Sequence, residues 1–210
     1  MLVGTFLRSV GIVAGYLGLM QGLAWMIMSL LVILLRTEAW VPHNMNYFNR
    51  GAYYLFFQSE SDPPAEDLID FLYCNTSYFF FFAYFYFVAS FLWIIASFFI
   101  IRLFFKHENY DWILLYTHIW NTITLVITAL NLAHIIFFGT DWNKISKSPN
   151  IDEATKFLYS TVLGVAVTIM AGGYFLPIIN MITAILLAGG SKKYVQQRIG
   201  DLLANEYIPE

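Results

Sequence analysis

Four long runs of apolar residues fill most of the chain, at residues 10–35, 78–101, 112–138 and 157–187. None of them contains Asp, Glu, Lys or Arg. A helix that crosses a bilayer needs about 20 predominantly apolar residues, whereas a helix of a soluble core keeps a polar face. Transmembrane barrel strands alternate in polarity and are about half as long. The pattern therefore predicts an all-α membrane protein, a bundle of four transmembrane helices.

Polar residues lie between and after these runs. A longer first loop occupies residues 37–77, and a shorter second loop occupies residues 139–156. After the fourth run, apolar side chains recur at helical spacing among the basic residues Lys192, Lys193 and Arg198. Such a segment is typical of a helix that lies along a membrane surface. We therefore expect an amphipathic helix on the inner leaflet at residues 191–206.

The charge distribution orients the chain. Charged residues make up 12% of the sequence, against about 25% in soluble domains. Basic residues favour cytosolic loops. If the N-terminus is cytosolic, the short inner segments hold Arg8, Arg102, Lys106, Lys192, Lys193 and Arg198, and the longer outer loops hold most of the acidic residues. The density of basic residues therefore predicts that both termini are cytosolic and that residues 37–77 form an extracellular loop.

A glycosylation motif bears on the same orientation. Asn75 begins an Asn-Thr-Ser acceptor sequence, and the second apolar run starts directly after it. Because a glycan cannot enter lipid, a glycan on Asn75 would place the first loop outside the cytosol. The alternative is that Asn75 lies too close to the bilayer to be modified. The neighbouring Cys74 is the only cysteine, so the chain has no internal disulfide.

Small residues form a seam along the first run. Gly11, Gly15, Gly18 and Gly22 recur at spacings of four, three and four, and Ser29 continues the stripe. In a membrane no hydrophobic drive brings helices together, and small residues instead let two backbones approach closely. The seam either packs against another helix of the same bundle or offers a face to a partner. The sequence leaves both readings open.

The third run carries a polar stripe. Thr117, Asn121, Thr124, Thr128 and Asn131 repeat at heptad spacing. Uncharged side chains of this kind form hydrogen bonds between membrane helices, so we expect the stripe to hold the bundle together. The alternative is that it lines a pore or a substrate path.

The fourth run contains two helix-breaking residues, Gly173 and Pro177. Proline removes a backbone hydrogen bond and clashes with the carbonyl four residues earlier, which here belongs to Gly173. A kink is therefore expected near the middle of this span. Asn180, one turn later, could bond the backbone groups that the kink frees.

The chain lacks the motifs of membrane enzymes and ion-coupled transporters. No histidine box, His-Glu pair or serine-nucleophile motif occurs, and the apolar runs contain no acidic residue for a proton relay. His118 and His134 lie roughly 24 Å apart along a helix, too far to share a metal. We expect a protein that is not an enzyme and binds no metal or other cofactor. Its expected contacts are membrane lipids and another membrane protein or a second copy, not nucleic acid.

Three segments carry a resemblance to a known group. Arg8 precedes a glycine-bearing first helix, the turn RLFFKHENYDW joins the second and third runs, and the tail SKKYVQQRI follows the fourth. In this layout, which covers nearly the whole chain, the sequence resembles insect four-span membrane proteins of the lysosome-associated transmembrane and Pasiflora–Fire exit septate-junction type. The cysteine-rich N-terminal segment and the proline-tyrosine tail motifs of the lysosomal members do not occur. The resemblance therefore implies a junctional or accessory role.

Three functions fit these features. The first is a non-catalytic organiser or scaffold at an epithelial, septate-type junction, whose outer loops meet a partner. The second is an accessory subunit of a channel, receptor or transporter, which docks through the glycine seam or the aromatic second helix. The third is a pore-forming oligomer lined by the third helix. The plasma membrane is the expected location, with the endolysosomal membrane second.

Overall fold

The computed structural model describes residues 2–40, 46, 49, 52–53, 56–57, 72–73, 76–106, 112–149, 151–171 and 175–206. Helices are the regular secondary structure of these residues. Most of the predicted first loop lies outside them, and so do Cys74, Asn75 and Gly173. The all-α class predicted from the apolar runs is confirmed.

Five helices make up the described part of the chain: α1 is Leu2–Arg36, α2 is Thr76–Lys106, α3 is Ile113–Lys147, α4 is Glu153–Ala171 and α5 is Phe175–Glu206. Three of them contain a stretch long and apolar enough to cross a membrane, namely Gly4–Arg36, Ser77–Phe105 and Ile113–Lys147. At about 1.5 Å per residue, α1 and α3 are each roughly 52 Å long, whereas the hydrocarbon core of a bilayer is about 30 Å thick. Helix length and composition thus identify a membrane protein.

Helix α3 is longer than the sequence predicted. It continues to Lys147, well into the predicted loop at residues 139–156, and α4 begins at Glu153. The reason lies at Asp141, which is fully buried and accepts the backbone N–H of Tyr73 at 2.9 Å. The sequence predicts a loop from residue 139, but the charged Asp141 stays within the helix, where its carboxylate is satisfied by a partner distant in sequence.

The fourth predicted span, residues 157–187, coincides with two helices, α4 and the start of α5. Pro177 is the third residue of α5. Residues 172–174, where the kink was expected, lie outside the described residues, so the kink and the fourth span both stay predictions.

Helix α5 runs without interruption through residues 191–206, which the sequence analysis treated as a separate helix. Two contacts pack the junction at residues 190 and 191 against other helices. A Cβ at Gly190 would lie 2.9 Å from Leu7 Cδ1, so the glycine lets α1 approach α5 closely. Ser191 is buried, and its hydroxyl lies 3.1 Å from the hydroxyl of Thr117 in α3. The beginning of the tail is thus packed against other helices.

The helices form two compact units. The first unit comprises Met1–Ala24, Ala89–Thr128 and Ile178–Glu210, and the second comprises Trp25–Val88 and Ala129–Pro177. The core of the first unit contains the fully buried side chains of Leu7, Trp93, Ile100, Ile113, Trp120 and Leu187. The core of the second contains Phe56, Leu72, Phe138, Ile145, Val162 and Leu163.

Large apolar side chains are also abundant on the outside of the helices. Met20 of α1, Ile136 of α3 and Ile185 of α5 are each about two-thirds exposed. Soluble monomers rarely expose contiguous apolar surface on this scale, whereas lipid tails are as apolar as these side chains. These surfaces therefore suit contact with membrane lipids.

Candidate functional site

The glycine seam of α1 packs against one face of α2 within the first unit. This face, which we call the α2 inner face, consists of Ile94, Ser97, Ile101 and Phe104. A Cβ at Gly11 would overlap the ring of Phe104, one at Gly15 would overlap Ile101, and one at Gly18 would overlap the Ser97 hydroxyl. A Cβ at Gly22 would lie 2.8 Å from Ile94 Cγ1 and 3.3 Å from the carbonyl oxygen of Ser90. All four glycines are therefore sites of close approach between two helices of the same chain.

Ser29, the last member of the predicted seam, lies in the second unit. Its side chain is buried. One turn before it, the ring of Trp25 stacks on that of Tyr86 with centroids 5.4 Å apart. The bulky Trp25 thus packs against α2 by ring stacking, whereas the glycines of the first unit let the two helix backbones approach closely.

Four members of the polar stripe on α3 are buried in the first unit. The Asn121 side-chain N–H donates to the carbonyl oxygen of Ala184 in α5 at 3.2 Å, and Thr117 bonds Ser191 as described above. Thr124 and Thr128 are buried as well. The described contacts of Thr117 and Asn121 join α3 to α5, which is the geometry of side chains that hold a bundle together.

Asn131, the fifth member, belongs to a polar cluster in the second unit. The Tyr86 hydroxyl donates to Asn131 Oδ1 at 2.7 Å. His134 Nδ1 lies 2.8 Å from the carbonyl oxygen of Leu130. Because a carbonyl only accepts, Nδ1 carries the proton, and Nε2 of the neutral ring is an acceptor. Within the described residues this buried Nε2 has no hydrogen-bond partner.

A cavity of about 220 Å³ adjoins this cluster in the second unit. Its walls are almost wholly apolar and include Trp25, Phe82, Phe138 and Val165, with Tyr86 and His134 also contributing. Apolar cavities of comparable size, near 150 Å³, stay dry and accept small hydrocarbons. The second unit therefore contains space that suits an apolar group more than water.

Sequence reasoning missed an amide pair in the first unit. Gln21 and Asn180 exchange two hydrogen bonds, at 3.0 Å from Gln21 Nε2 and at 2.8 Å from Asn180 Nδ2. The side chain of Asn180 therefore bonds α1, whereas the kink whose backbone it was expected to serve lies outside the described residues. The available signal was that Gln21 is an amide in an uncharged apolar run, where a polar side chain needs a partner on another helix.

A second face of α2, next to the inner face, is exposed in the first unit. Phe91, Ile95, Phe98 and Phe105, which we call the α2 outer face, follow spacings of four, three and seven residues. Each is between about 38% and 56% exposed. Heptad-spaced apolar side chains are the pattern by which one helix packs along another. This stripe has no helix against it in the described chain that would bury it.

Catalytic or metal chemistry has no obvious centre in the described residues. No group of three His, Cys, Asp or Glu side chains converges among them. His134 is enclosed by aromatic rings, with Phe82 edge-on at 4.7 Å and Tyr86 at 5.5 Å. The main features of the described residues are therefore two packing surfaces. One is the α2 outer face, and the other is the contact between the glycine seam of α1 and the α2 inner face.

Comparison with known proteins does not extend this picture. The chain matches no protein-family model, no curated protein and no solved structure. The resemblance to the four-span junction and lysosomal proteins therefore stays a prediction. The function is inferred from the geometry of the α2 outer face and its surroundings.

Proposed function

We propose that this chain is a four-span membrane protein with both termini cytosolic, and that it acts as a non-catalytic organiser or accessory subunit that docks a partner membrane protein through the α2 outer face. Three helices long enough to span support the membrane setting. The plasma membrane is the proposed location, with the endolysosomal membrane as the second candidate.

The observation that carries the proposal is that one face of α2 packs against α1 while the α2 outer face is exposed. The sequence offered two docking surfaces, the glycine seam and the aromatic second helix. The seam is filled by side chains of the α2 inner face, so it has no room for a partner. Of these two surfaces, the aromatic outer face is the one that is exposed.

The chemistry of the α2 outer face suits a protein partner. Three of its four side chains, Phe91, Phe98 and Phe105, are aromatic and repeat every seven residues. Aromatic side chains are enriched at the buried centres of protein interfaces and dominate their binding energy. Lipid contact alone requires only an apolar surface and does not favour rings at a heptad repeat.

The other two functions draw less support. A pore would need the polar stripe of α3 to face water, but Thr117, Asn121, Thr124 and Thr128 are buried and the first two bond α5. A junctional organiser that acts through its outer loops would use residues 37–77, which mostly lie outside the described residues. The junctional role rests on the family resemblance alone.

Site-specific photo-cross-linking in native membranes tests the proposal. The photoreactive residue p-benzoylphenylalanine replaces Phe98, a conservative exchange of one ring for a larger one, and in a matched control it replaces Met20 of α1. We expect a discrete protein adduct from position 98 and only lipid adducts from position 20, although Met20 is the more exposed at 70% against 56%.

A second variant separates docking from membrane exposure. Changing Phe91 and Phe105 to Leu keeps the surface apolar but removes two rings from the docking stripe. We expect the adduct from position 98 to fall by about tenfold or more, since a single interface anchor is worth about 2 kcal/mol. Lipid adducts alone from position 98, or an unchanged protein adduct in this variant, would show that the α2 outer face only meets lipid.

A further inference from the structure

A second pocket, in the first unit, has a different character from the apolar cavity. It has a volume of about 390 Å³ and is formed by the N-terminal part of α1, the C-terminal parts of α2 and α5, and the start of α3. Arg8, Arg198 and Asp201 contribute charged groups, and Tyr194 and Gln197 contribute uncharged polar ones. Leu7 and Phe104 supply part of an apolar wall.

The charges of the pocket favour an anion. Two basic side chains and one acidic side chain line it, those of Arg8, Arg198 and Asp201. Arginine presents a planar set of donors that matches the oxygens of a phosphate, often through two parallel hydrogen bonds. Arg102, Lys192 and Lys193 of the same unit are exposed and add to the positive potential that an approaching anion meets.

The position of the pocket along the helices points to the source of the anion. Apart from Ile113, its lining residues lie outside the apolar runs at 10–35, 78–101, 112–138 and 157–187. Such residues belong at the level of lipid headgroups, where basic pockets between membrane helices recognise anionic lipids. The apolar wall suits the start of the acyl chains of the same lipid.

We propose that this pocket binds an anionic phospholipid with a polyhydroxylated headgroup, of the phosphoinositide type. A volume of about 390 Å³ is far above the roughly 10–15 Å³ of cavity volume that one water needs, so the pocket has room for more than a phosphate alone. Asp201 disfavours a bare phosphate by repulsion, but its carboxylate accepts hydrogen bonds from sugar hydroxyls. Tyr194 and Gln197 also line the pocket and make its wall partly polar without adding charge.

The test measures binding of a fluorescent dioctanoyl phosphatidylinositol 4-phosphate to the full chain in mild detergent at physiological salt. The wild-type protein is expected to bind it saturably. The double variant Arg8→Gln/Arg198→Gln is expected to bind at least about tenfold more weakly, because the loss of one charge-assisted hydrogen bond already has that effect.

Two further variants distinguish a pocket from a charged surface. Gly4 lines the pocket, and a Cβ there would meet only the ring of Tyr194, at an ordinary 3.4 Å. Gly4→Leu should therefore fill the pocket without disturbing the fold, and it should weaken binding by about tenfold or more while keeping both arginines. Arg102→Gln removes a charge outside the pocket and should change affinity by less than about twofold, the scale of a screened surface charge.

Unfolding midpoints close to wild type are required of every variant before its affinity is compared. Wild-type affinity in Gly4→Leu, or an equal loss in Arg102→Gln, would overturn the proposal in favour of a non-specific basic surface. Displacement of the probe by inorganic phosphate as readily as by unlabelled lipid would overturn it in favour of a simple anion site. Only the inner-leaflet location of the lipid rests on the proposed topology. Binding in detergent needs neither the topology nor the docking partner, so the two proposals fail independently.

Discussion

Adding a single methyl group to the glycine seam is the sharpest test of the packing between α1 and α2. In Gly18→Ala the new Cβ would overlap the Ser97 hydroxyl, and it would lie 2.8 Å from Trp120 Nε1 and 3.1 Å from Trp93 Nε1. Both tryptophans are fully buried, so neither ring has free space to occupy. Either the helices separate or the tryptophans move.

The expected cost follows from three contributions. Inserting a methyl group into a packed core costs about 1–3 kcal/mol. Displacing Ser97 or Trp120 weakens the hydrogen bond between them, which is 3.0 Å long, at a cost of about 0.5–1.5 kcal/mol. Alanine regains up to about 1 kcal/mol of helix propensity relative to glycine. The net prediction is a loss of about 1–3 kcal/mol of unfolding free energy in Gly18→Ala.

The assay is unfolding of the full chain in mild detergent as the mole fraction of sodium dodecyl sulfate rises, followed by circular dichroism. Gly164→Ala in α4 is the matched control, since no atom lies within 4 Å of a Cβ at that position. This control should gain about 0.5–1 kcal/mol, because only the helix propensity changes. If both substitutions shift the midpoint in the same direction, Gly18 is not at a close helix contact and the reasoning is refuted.

Three further predictions concern polar groups. Gln21→Leu leaves the Asn180 amide unpaired and should cost about 1–2 kcal/mol of unfolding free energy in the same assay. Adding Asn180→Leu should recover part of this loss, and losses that simply add in the double variant would contradict the pairing. Asp141→Leu leaves the backbone N–H of Tyr73 without its acceptor and should cost about 1–3 kcal/mol of unfolding free energy. Asp141→Asn should cost less because an acceptor oxygen remains, and equal losses in the two variants would argue against the bond between Asp141 and Tyr73. Hydrogen bonds from the Thr155 side chain and then from its backbone N–H hold the pKa of Asp152 below its usual value. The stability that ionised Asp152 gives α4 is therefore present above about pH 4, and it is lost as the pH falls towards the lowered pKa of the folded state. Circular dichroism between pH 6 and pH 3 should show this loss in the wild type and not in Asp152→Ala.

The apolar runs were sufficient to predict the fold class. Uncharged stretches of more than 20 residues allow few structures besides membrane helices, and α1, α2 and α3 cover the first three runs. Helix ends were harder to predict. Asp141 extends α3 beyond its apolar run because Tyr73, far away in sequence, supplies its partner. Such a contact leaves no trace in local periodicity.

The two readings of the glycine seam show why spacing alone could not locate the docking surface. Gly11, Gly15 and Gly18 would have the same spacing whether they faced a partner protein or another helix of the chain. The side chains of the α2 inner face fill the seam, which decides in favour of packing within the chain. Gln21 was overlooked for a related reason, since its partner Asn180 lies 159 residues away.

The pocket that we assign to an anionic lipid was also beyond sequence reasoning. Arg8 and Arg198 stand near opposite ends of the chain and were counted only as markers of the cytosolic side. Their convergence depends on the contact of α5 with α1, which Gly190 permits by close approach to Leu7. Charge counting identified the side of the membrane, whereas the fold brings the two charges to one pocket.

Four spans with both termini in the cytosol are the central claim about the topology, and they place the proposed lipid pocket at the inner leaflet. The most direct test is an epitope tag on each terminus of the full chain, probed with antibody in intact and in permeabilised cells. We predict that both tags are labelled only after permeabilisation. Labelling of one tag in intact cells would mean an odd number of crossings, and labelling of both would invert the topology. Either result would contradict the account.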